Sequence, residues 1–546
     1  MIDQRYTEIF TNPGTVKLAD IPVMEYREFM AFTDLLMGEE GTHCVAYLVV
    51  PLKDRYCFIC CMAADENHAI VLFSHEQPLH PLPSLPSLTA KHFQFHLFER
   101  EIHEQFGIEF PGHPWLKPIR YPFDRADQSR VMNNYPFYAS EGEQLHEVGV
   151  GPIHAGIIEP GHFRFTCHGE RVLHLEIHLG YQHRGVERLF VEKQGILSQS
   201  ILSESIAGDT AVGHALAYAG IIESLAGMMV STQLSMERII ALELERIAIH
   251  IGDTAALCTD IAYQFGQVVN EALRTVIINT TQFWCGNRFG KGMVRPGGTN
   301  YPLTGDVIAE ILNNLKDVEE RYLQVTDRIF SLPSVLGRFE GTGKLTTMQA
   351  TLIGAVGMAA RSSGMYRDIR WSHPFAAYAG HPFEPVMLHK GDVWSRAMLR
   401  KLEVVKSMEV IREMLKAIKN YELKITDSDA IESVEGYPEE MPTPKGETRK
   451  AKPETRNAQR LSRNQKPIYE LSLAPSSLAI SLVEGWRGEI CHIALTDDAG
   501  EIIHYKAKDP SLHNWMALAL AVRNQEISDF PLCNKSFNLS YCGNDL

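Results

Sequence analysis

The sequence predicts an α+β protein, with a small α+β N-terminal domain followed by a mostly helical domain that carries a small β portion. Three observations lead to this reading. Short apolar runs of strand length surround one helical stretch between about residues 20 and 110, apolar residues at helical spacing fill most of the chain from Gly180 to Glu422, and strand-like runs return after Tyr469. At 546 residues the chain also exceeds the usual size of a single hydrophobic core.

Composition narrows the function classes. Apolar residues make up 45% and charged residues 22%, the mix of an ordinary globular protein. A formal charge of -15 argues against a phosphate-tracking surface, so no nucleic-acid partner is expected. No stretch reaches the roughly 18 apolar residues of a membrane helix. The run Ala211 to Ile222 is short, contains His214 and is closed by Glu223, so membrane association is expected through partners. The start, Met1-Ile2-Asp3-Gln4-Arg5, lacks a basic segment followed by an apolar one, and a cytoplasmic, reducing location is expected. Ten scattered cysteines then read as free thiols. Cys57, Cys60 and Cys61 cluster in an apolar run better explained as a buried strand than as a metal site.

Along the chain, Cys44 to Val50 and Ala69 to Phe73 read as strands, and Ala90 to Phe106 as a helix. A Pro- and Tyr-rich connector from Pro118 to Tyr138 leads to a boundary near residue 140. Ile157 to Ile177 is strand-rich. Helices are expected over Ser203 to Ser224, Leu234 to Ala262, Gly305 to Phe330, Thr347 to Met358 and Val393 to Glu422. Between Lys424 and Ile468 apolar residues give way to Pro, Glu, Lys and Arg, the composition of a flexible linker. Its part from Lys445 to Lys466 carries eight basic residues against two acidic ones, which fits a solvated loop or a docking strip for an acidic partner or anionic lipid headgroups. Ser477 to Val483 and Glu489 to Leu495 read as strands.

The motifs point to a family. Glu99-Arg-Glu-Ile-His-Glu-Gln-Phe-Gly107, followed by Phe110-Pro-Gly-His113-Pro114, resembles the signature of the C-type subunit of complex I. Physically it is a charged helix end, a Gly stop and a tight turn, chemistry that positions a domain. Later stretches resemble the D-type subunit of complex I and, more closely, the large subunits of group 4 membrane-bound [NiFe] hydrogenases of the formate hydrogenlyase and hydrogenase-4 type. They include Gly151-Pro-Ile-His154, Glu159-Pro-Gly161-His162, His178-Leu-Gly180-Tyr-Gln-His183-Arg184-Gly185, Glu243-Leu-Glu245-Arg246, Arg295-Pro-Gly-Gly298, Val483-Glu484-Gly485 and Asp509-Pro-Ser-Leu-His513-Asn514. The resemblance implies a complex I C-type domain over 1–140, a hydrogenase large-subunit or D-type domain over 141–423, the charged linker over 424–468, and completion of the D-type domain over 469–546.

A nickel-iron centre needs four thiolates, which the family supplies as two Cys-x-x-Cys pairs. Where the first pair belongs, this chain has Ser205-Ile-Ala207-Gly208-Asp209-Thr210, followed by His214 in register. Where the second belongs, it ends Tyr541-Cys542-Gly-Asn-Asp545-Leu546. Cys542 alone keeps a thiol, so hydrogen activation is not expected. The resemblance makes Ala207, Thr210, Cys542, Asp545 and Glu159 the lining of a vacated cavity. Complex I turned the same loss into a quinone headgroup site served by a Tyr and a His. This chain departs from that pattern, and the candidates for acid-base work are His162, Asp209, His214 and Tyr541. His154 and His162 read equally well as structural histidines. The acid-rich helix Glu237 to Asp253 reads as a salt-bridge ladder or as the wall of a proton path.

The expected activity is that of an oxidoreductase subunit reducing a quinone or other small acceptor; the alternatives are an active hydrogenase and a non-catalytic coupling scaffold. No cofactor is expected on the chain itself. The resemblance implies a [4Fe-4S] cluster on a complex I B-type small subunit, a ferredoxin-like subunit, antiporter-like membrane subunits, and a peripheral place on the cytoplasmic side of the inner membrane.

Overall fold

The computed structural model describes residues 5–428 and 466–546, apart from positions 155, 157 and 194. Of the charged linker expected over 424–468, positions 429–465 lie outside the described residues, and with them all but Lys466 of its basic strip.

The N-terminal domain is built on a sheet of β1 (Thr7–Ile9), β3 (Val23–Met24), β4 (Thr42–Pro51), β5 (Arg55–Ala64) and β6 (Ala69–Pro78), in the order β1-β6-β5-β4 with β3 beside β6. The three long strands are apolar nearly without break because both faces are covered. Helix Tyr26–Met37 sets Phe29 and Phe32 on Phe73, with ring centroids 4.9 and 5.0 Å away. Cys60 and Cys61 are fully buried in β5, as the apolar run predicted. Helix His96–Phe106 stops at Gly107, whose φ of 74° favours glycine.

The C-type signature works as a clamp. Glu104 accepts hydrogen bonds from the amides of Arg120 and Tyr121 at 2.9 Å, and Arg100 donates to the carbonyls of Lys117 and Pro118 at 2.7 and 2.6 Å. His113 closes its turn by accepting from the Trp115 amide at 2.9 Å. These residues hold the connector against the first domain.

A second sheet joins the two ends of the chain. β10 (Ser477–Glu484), β11 (Glu489–Thr496) and β12 (Ile502–Lys508) are extended by β2 (Gly14–Lys17), with Ser477 opposite Lys17 and Ile480 opposite Gly14. Helix Ala211–Leu225 lies on this sheet, so close that a Cβ at Gly220 would meet Ser481 Oγ at 2.8 Å. A third sheet holds β7 (Leu145–Val150), β8 (His162–His168) and β9 (Arg171–His178).

The helical core centres on Thr232–Asp260, buried nearly all round between Gln264–Cys285 and Val393–Ser428. Two expected helices break. Thr347 to Met358 becomes Thr347–Ile353 and Gly357–Arg361, interrupted where Gly354 and Gly357 adopt φ of 67° and 59°. Ser203 to Ser224 becomes Ile196–Ser203 and Ala211–Leu225, separated by the turn that carries Ala207 to Thr210. Helix Gln264–Cys285 was not visible as a pattern, because its buried face includes Gly266, Asn270, Thr280 and Thr281, which dilute the apolar stripe.

Inside this core runs a network of fully buried charges. Glu403 accepts from Arg361 at 2.6 Å, Arg370 at 2.9 Å and His250 at 2.8 Å; Arg361 also donates to Glu484 at 2.6 Å. Arg246 pairs with Glu243 and donates to the carbonyls of Glu484 and Gly485 at 2.6 and 2.9 Å. The acid-rich helix therefore forms few ladder pairs of its own; most of its charges reach across to other elements. Removing one partner strands the others without water, so Glu403→Ala is expected to cost about 3–5 kcal/mol in denaturant unfolding. A near-neutral change would show that water reaches the network.

Candidate functional site

Two short segments that the sequence resemblance singles out are joined through one arginine. The first is the turn from Ser205 to Thr210, closed by the Thr210 amide donating to the Ala207 carbonyl at 3.0 Å. The second is the helix Tyr541–Asp545, capped by the Ser540 hydroxyl, which accepts from the Gly543 amide at 2.9 Å. Arg184 stitches them together, donating to the carbonyls of Ser205 at 2.6 Å, Ile206 at 2.9 Å and Cys542 at 3.1 Å.

The four positions where the resemblance implies thiolates are 207, 210, 542 and 545. Ala207 and Thr210 are buried, and the Thr210 hydroxyl sits within 3.1 Å of both Asp209 and Arg487. The Asp545 carboxylate is fully buried and accepts from the amides of Gly180 and Gln182, each at 2.8 Å. Cys542 keeps a thiol, pushed up to about 11 by burial and by the nearby Glu159 carboxylate. Glu159 and Cys542 are thus neighbours. One thiol, a hydroxyl and a carboxylate already holding two amides do not match the donor set of a nickel-iron centre, which asks for four thiolates. Among the described residues, no three His, Cys, Asp or Glu side chains converge on a metal position.

What fills the first segment instead is an ion pair. Asp209, 34% exposed, meets Arg487 in a two-pronged salt bridge with both contacts at 2.7 Å. Arg487 lies over the Trp486 ring at 3.9 Å, and the Trp486 indole donates to the Asp209 carbonyl at 2.9 Å. The turn from Glu484 to Gly488 that presents Arg487 approaches Gly357 backbone to backbone; a Cβ at Gly357 would lie 2.2 Å from the Arg487 carbonyl oxygen. Glycine at both 357 and 488 is what this crossing requires.

The remaining candidates separate. Tyr541 packs beneath Gly161 and against Trp515, with centroids 4.9 Å apart, and burial pushes its hydroxyl up to about 12. His162, at the start of β8, donates from Nδ1 to the Gly151 carbonyl at 3.0 Å, while His154 donates to the Gly161 carbonyl at 2.9 Å. His214 is fully buried one turn into its helix, 3.1 Å from His492 and 3.2 Å from Asp509. The structure brings Glu159 to Cys542 and sets Asp209 beside Thr210, but places His162 and His214 in separate hydrogen-bonded surroundings. Sequence reasoning passed over Arg487 and the bridging role of Arg184. Arg487 lies two residues past Val483-Glu484-Gly485, so extending that motif would have reached it.

Glu245 completes the floor, accepting from the amides of Val212 and Gly213 at 2.8 and 3.2 Å, at the N-terminus of helix Ala211–Leu225. Burial raises it from its ordinary 4.5 to about 8, with the Asp209 charge adding to the rise against the two amide bonds. Between those values the folded protein holds a proton that the unfolded chain releases, so this group lowers stability as pH rises through that window. Glu245→Gln is expected to flatten the fall in stability from pH 4.5 to 8, measured by urea unfolding at several pH values; an unaltered slope would contradict the assignment.

Comparison with known proteins gives the family. Residues 260–545 match the family model described as the 49 Kd subunit of respiratory-chain NADH dehydrogenase, and residues 26–129 the model of its 30 Kd subunit. The carbon monoxide-induced hydrogenase of Rhodospirillum rubrum is 28% identical over 72% of this chain and 97% of that protein. The C/D subunit of the NADH-quinone oxidoreductase of Phocaeicola vulgatus is 26% identical over 63% of this chain and 72% of that one. A chain in the structure of the membrane-bound sulfane sulfur reductase, an archaeal respiratory membrane complex, shares the fold with a TM-score of 0.60 at 18% identity, covering 75% of this chain and all of that one. The protein belongs to the 49 kDa-subunit family of respiratory-chain NADH dehydrogenase, fused in one polypeptide to a 30 kDa-subunit domain, as a hydrogenase-related subunit of the complex I-like type.

Proposed function

We propose that this chain forms the acceptor site of a membrane-associated oxidoreductase, in which electrons from a [4Fe-4S] cluster on a partner subunit reduce a quinone or another small acceptor. What supports the reading is that Ala207, Thr210 and Asp545 stand where the resemblance implies thiolates, and that the Asp545 carboxylate is taken up by two backbone amides. A site with one thiol in place of four has no means to hold nickel and split hydrogen, yet it keeps polar groups suited to a two-electron, two-proton acceptor. Asp209 and Arg487 offer a charged hydrogen-bonding edge, Tyr541 a neutral hydroxyl donor, and His162 a ring whose Nε2 remains for an acceptor proton.

Electrons reach the site through partners: a B-type iron-sulfur subunit, a ferredoxin-like subunit and antiporter-like membrane subunits, with this chain peripheral on the cytoplasmic face. No helix among the described residues is long and apolar enough to cross a membrane, which fits attachment through partners.

The purified complex is the material to test. It is expected to contain no stoichiometric nickel by elemental analysis and to reduce a short-chain ubiquinone or menaquinone analogue, with Asp209→Asn slowing turnover by about 100-fold. A polysulfide arm belongs in the same assay, because a chain of the sulfane sulfur reductase complex shares this fold. Stoichiometric nickel together with hydrogen uptake would overturn the reading. Turnover unchanged in Asp209→Asn would favour a coupling scaffold.

A further inference from the structure

Behind the site runs a chain of four fully buried side chains joined end to end by hydrogen bonds. The Tyr505 hydroxyl meets His492 Nδ1 at 2.7 Å, His492 Nε2 meets His214 Nδ1 at 3.1 Å, and His214 Nε2 meets Asp509 at 3.2 Å. The members come from β12, β11, helix Ala211–Leu225 and the turn after β12, so tertiary packing alone assembles them.

The two ends lie in different places. Asp509 packs on helix Tyr541–Asp545, where a Cβ at Gly543 would come within 2.7 Å of its carboxylate carbon, one residue from Cys542. Tyr505 stacks on Phe190 at 4.0 Å and forms part of the wall of a wide cleft with Glu187, His504 and Arg184.

The bonding pattern is determined by its carboxylate end, because an ionised carboxylate can only accept. Asp509 is held below the usual carboxylate range, the bond from His214 and the charge of Arg487 outweighing burial. With both rings neutral, His214 carries its proton on Nε2 and accepts at Nδ1. His492 must then donate from Nε2 and accept at Nδ1, and Tyr505 must donate. An extra proton on His214 reverses the far half: His214 donates from both nitrogens, His492 accepts at Nε2 and donates from Nδ1, and the Tyr505 oxygen accepts. Every contact survives in both states, a property that a set of merely structural hydrogen bonds does not need.

We propose that Tyr505, His492, His214 and Asp509 form a relay that carries protons from the cleft to the acceptor site. The inference rests on the proposed acceptor function. For a quinone, two electrons from the partner's iron-sulfur cluster and two protons convert two carbonyls to two hydroxyls. For each proton delivered, His214 passes its Nε2 proton to the ionised Asp509, which hands it on to the acceptor and is ionised again. His214 is refilled at Nδ1 from His492 Nε2, His492 at Nδ1 from Tyr505, and Tyr505 from water in the cleft in exchange with bulk solvent. Both rings return to their Nε2–H tautomers before the next proton. None of the four touches the acceptor except through Asp509, so Tyr505, His492 and His214 are positioning and transfer groups.

Two measurements on Tyr505→Phe and His492→Gln test it. In the full chain labelled with 15N-histidine, the His492 and His214 signals are expected to report Nε2–H tautomers in mutual contact, and Tyr505→Phe is expected to shift both. Independent His214 and His492 signals, or a Tyr505→Phe change confined to His492, would overturn the relay whatever the acceptor proves to be. In the intact complex with the quinone analogue, both variants are expected to slow turnover by about 100-fold and to raise the solvent deuterium isotope effect, while reduction of the partner's cluster, followed by EPR, keeps its wild-type rate. Wild-type turnover and isotope effect in both variants would also overturn it. A wild-type complex that reduces no quinone would sink the acceptor reading and leave the histidine signals to decide the relay.

Discussion

The constraint on which the rest of the molecule depends is the buried charge network joining Glu243, Arg246, Arg361, Glu403 and Glu484. Charges taken out of water are stable only when each finds its partners, so the network tolerates few alternative arrangements. Arg246 holds the carbonyls of Glu484 and Gly485, while Arg361 holds the Glu484 side chain. Together they fix the turn that ends β10. That turn presents Trp486 and Arg487 to Asp209, and the crossing of Gly357 with Gly488 lets it come close enough to do so. The electrostatics of the candidate site are thus set in part by buried charges on the helices behind it.

A second constraint ties the domains into one unit. Because β2 from residues 14–17 completes the sheet of β10, β11 and β12, the beginning of the chain is a structural part of its end. His43 of β4 adds a buried contact, 2.8 Å from Glu489 of β11, which also accepts from Lys508 of β12 at 2.5 Å. Fusion of the two subunit types in one polypeptide is matched by a shared core, not only by a covalent connector.

The two segments of the candidate site are held by contacts that do not depend on a ligand. Arg184 spans them through backbone carbonyls, contacts indifferent to what the side chains at 207, 210, 542 and 545 are. The Asp545 carboxylate caps the amides of Gly180 and Gln182, so the second segment is ordered by the chain's own hydrogen bonds.

By itself the sequence determined the α+β class, most of the long helices and the central strands β4, β5, β6, β10 and β11, because hydrophobic periodicity is a local signal set by which face each residue must bury. It also showed which residues stand at 207, 210, 542 and 545, since that is a matter of residue identity at motif positions. It did not reveal helix Gln264–Cys285, whose buried small and polar residues blur the pattern, or the breaks at Gly208–Thr210 and Gly354–Gly357, where local turn chemistry overrides apolar spacing. Only the tertiary structure decided that Asp209 faces Arg487, that Asp545 serves the backbone, and that His214 joins His492 and Asp509. Those partners lie 278, 363 to 365, and 278 to 295 residues apart, and hydrogen bonds between such distant groups leave no periodic trace in the chain that makes them.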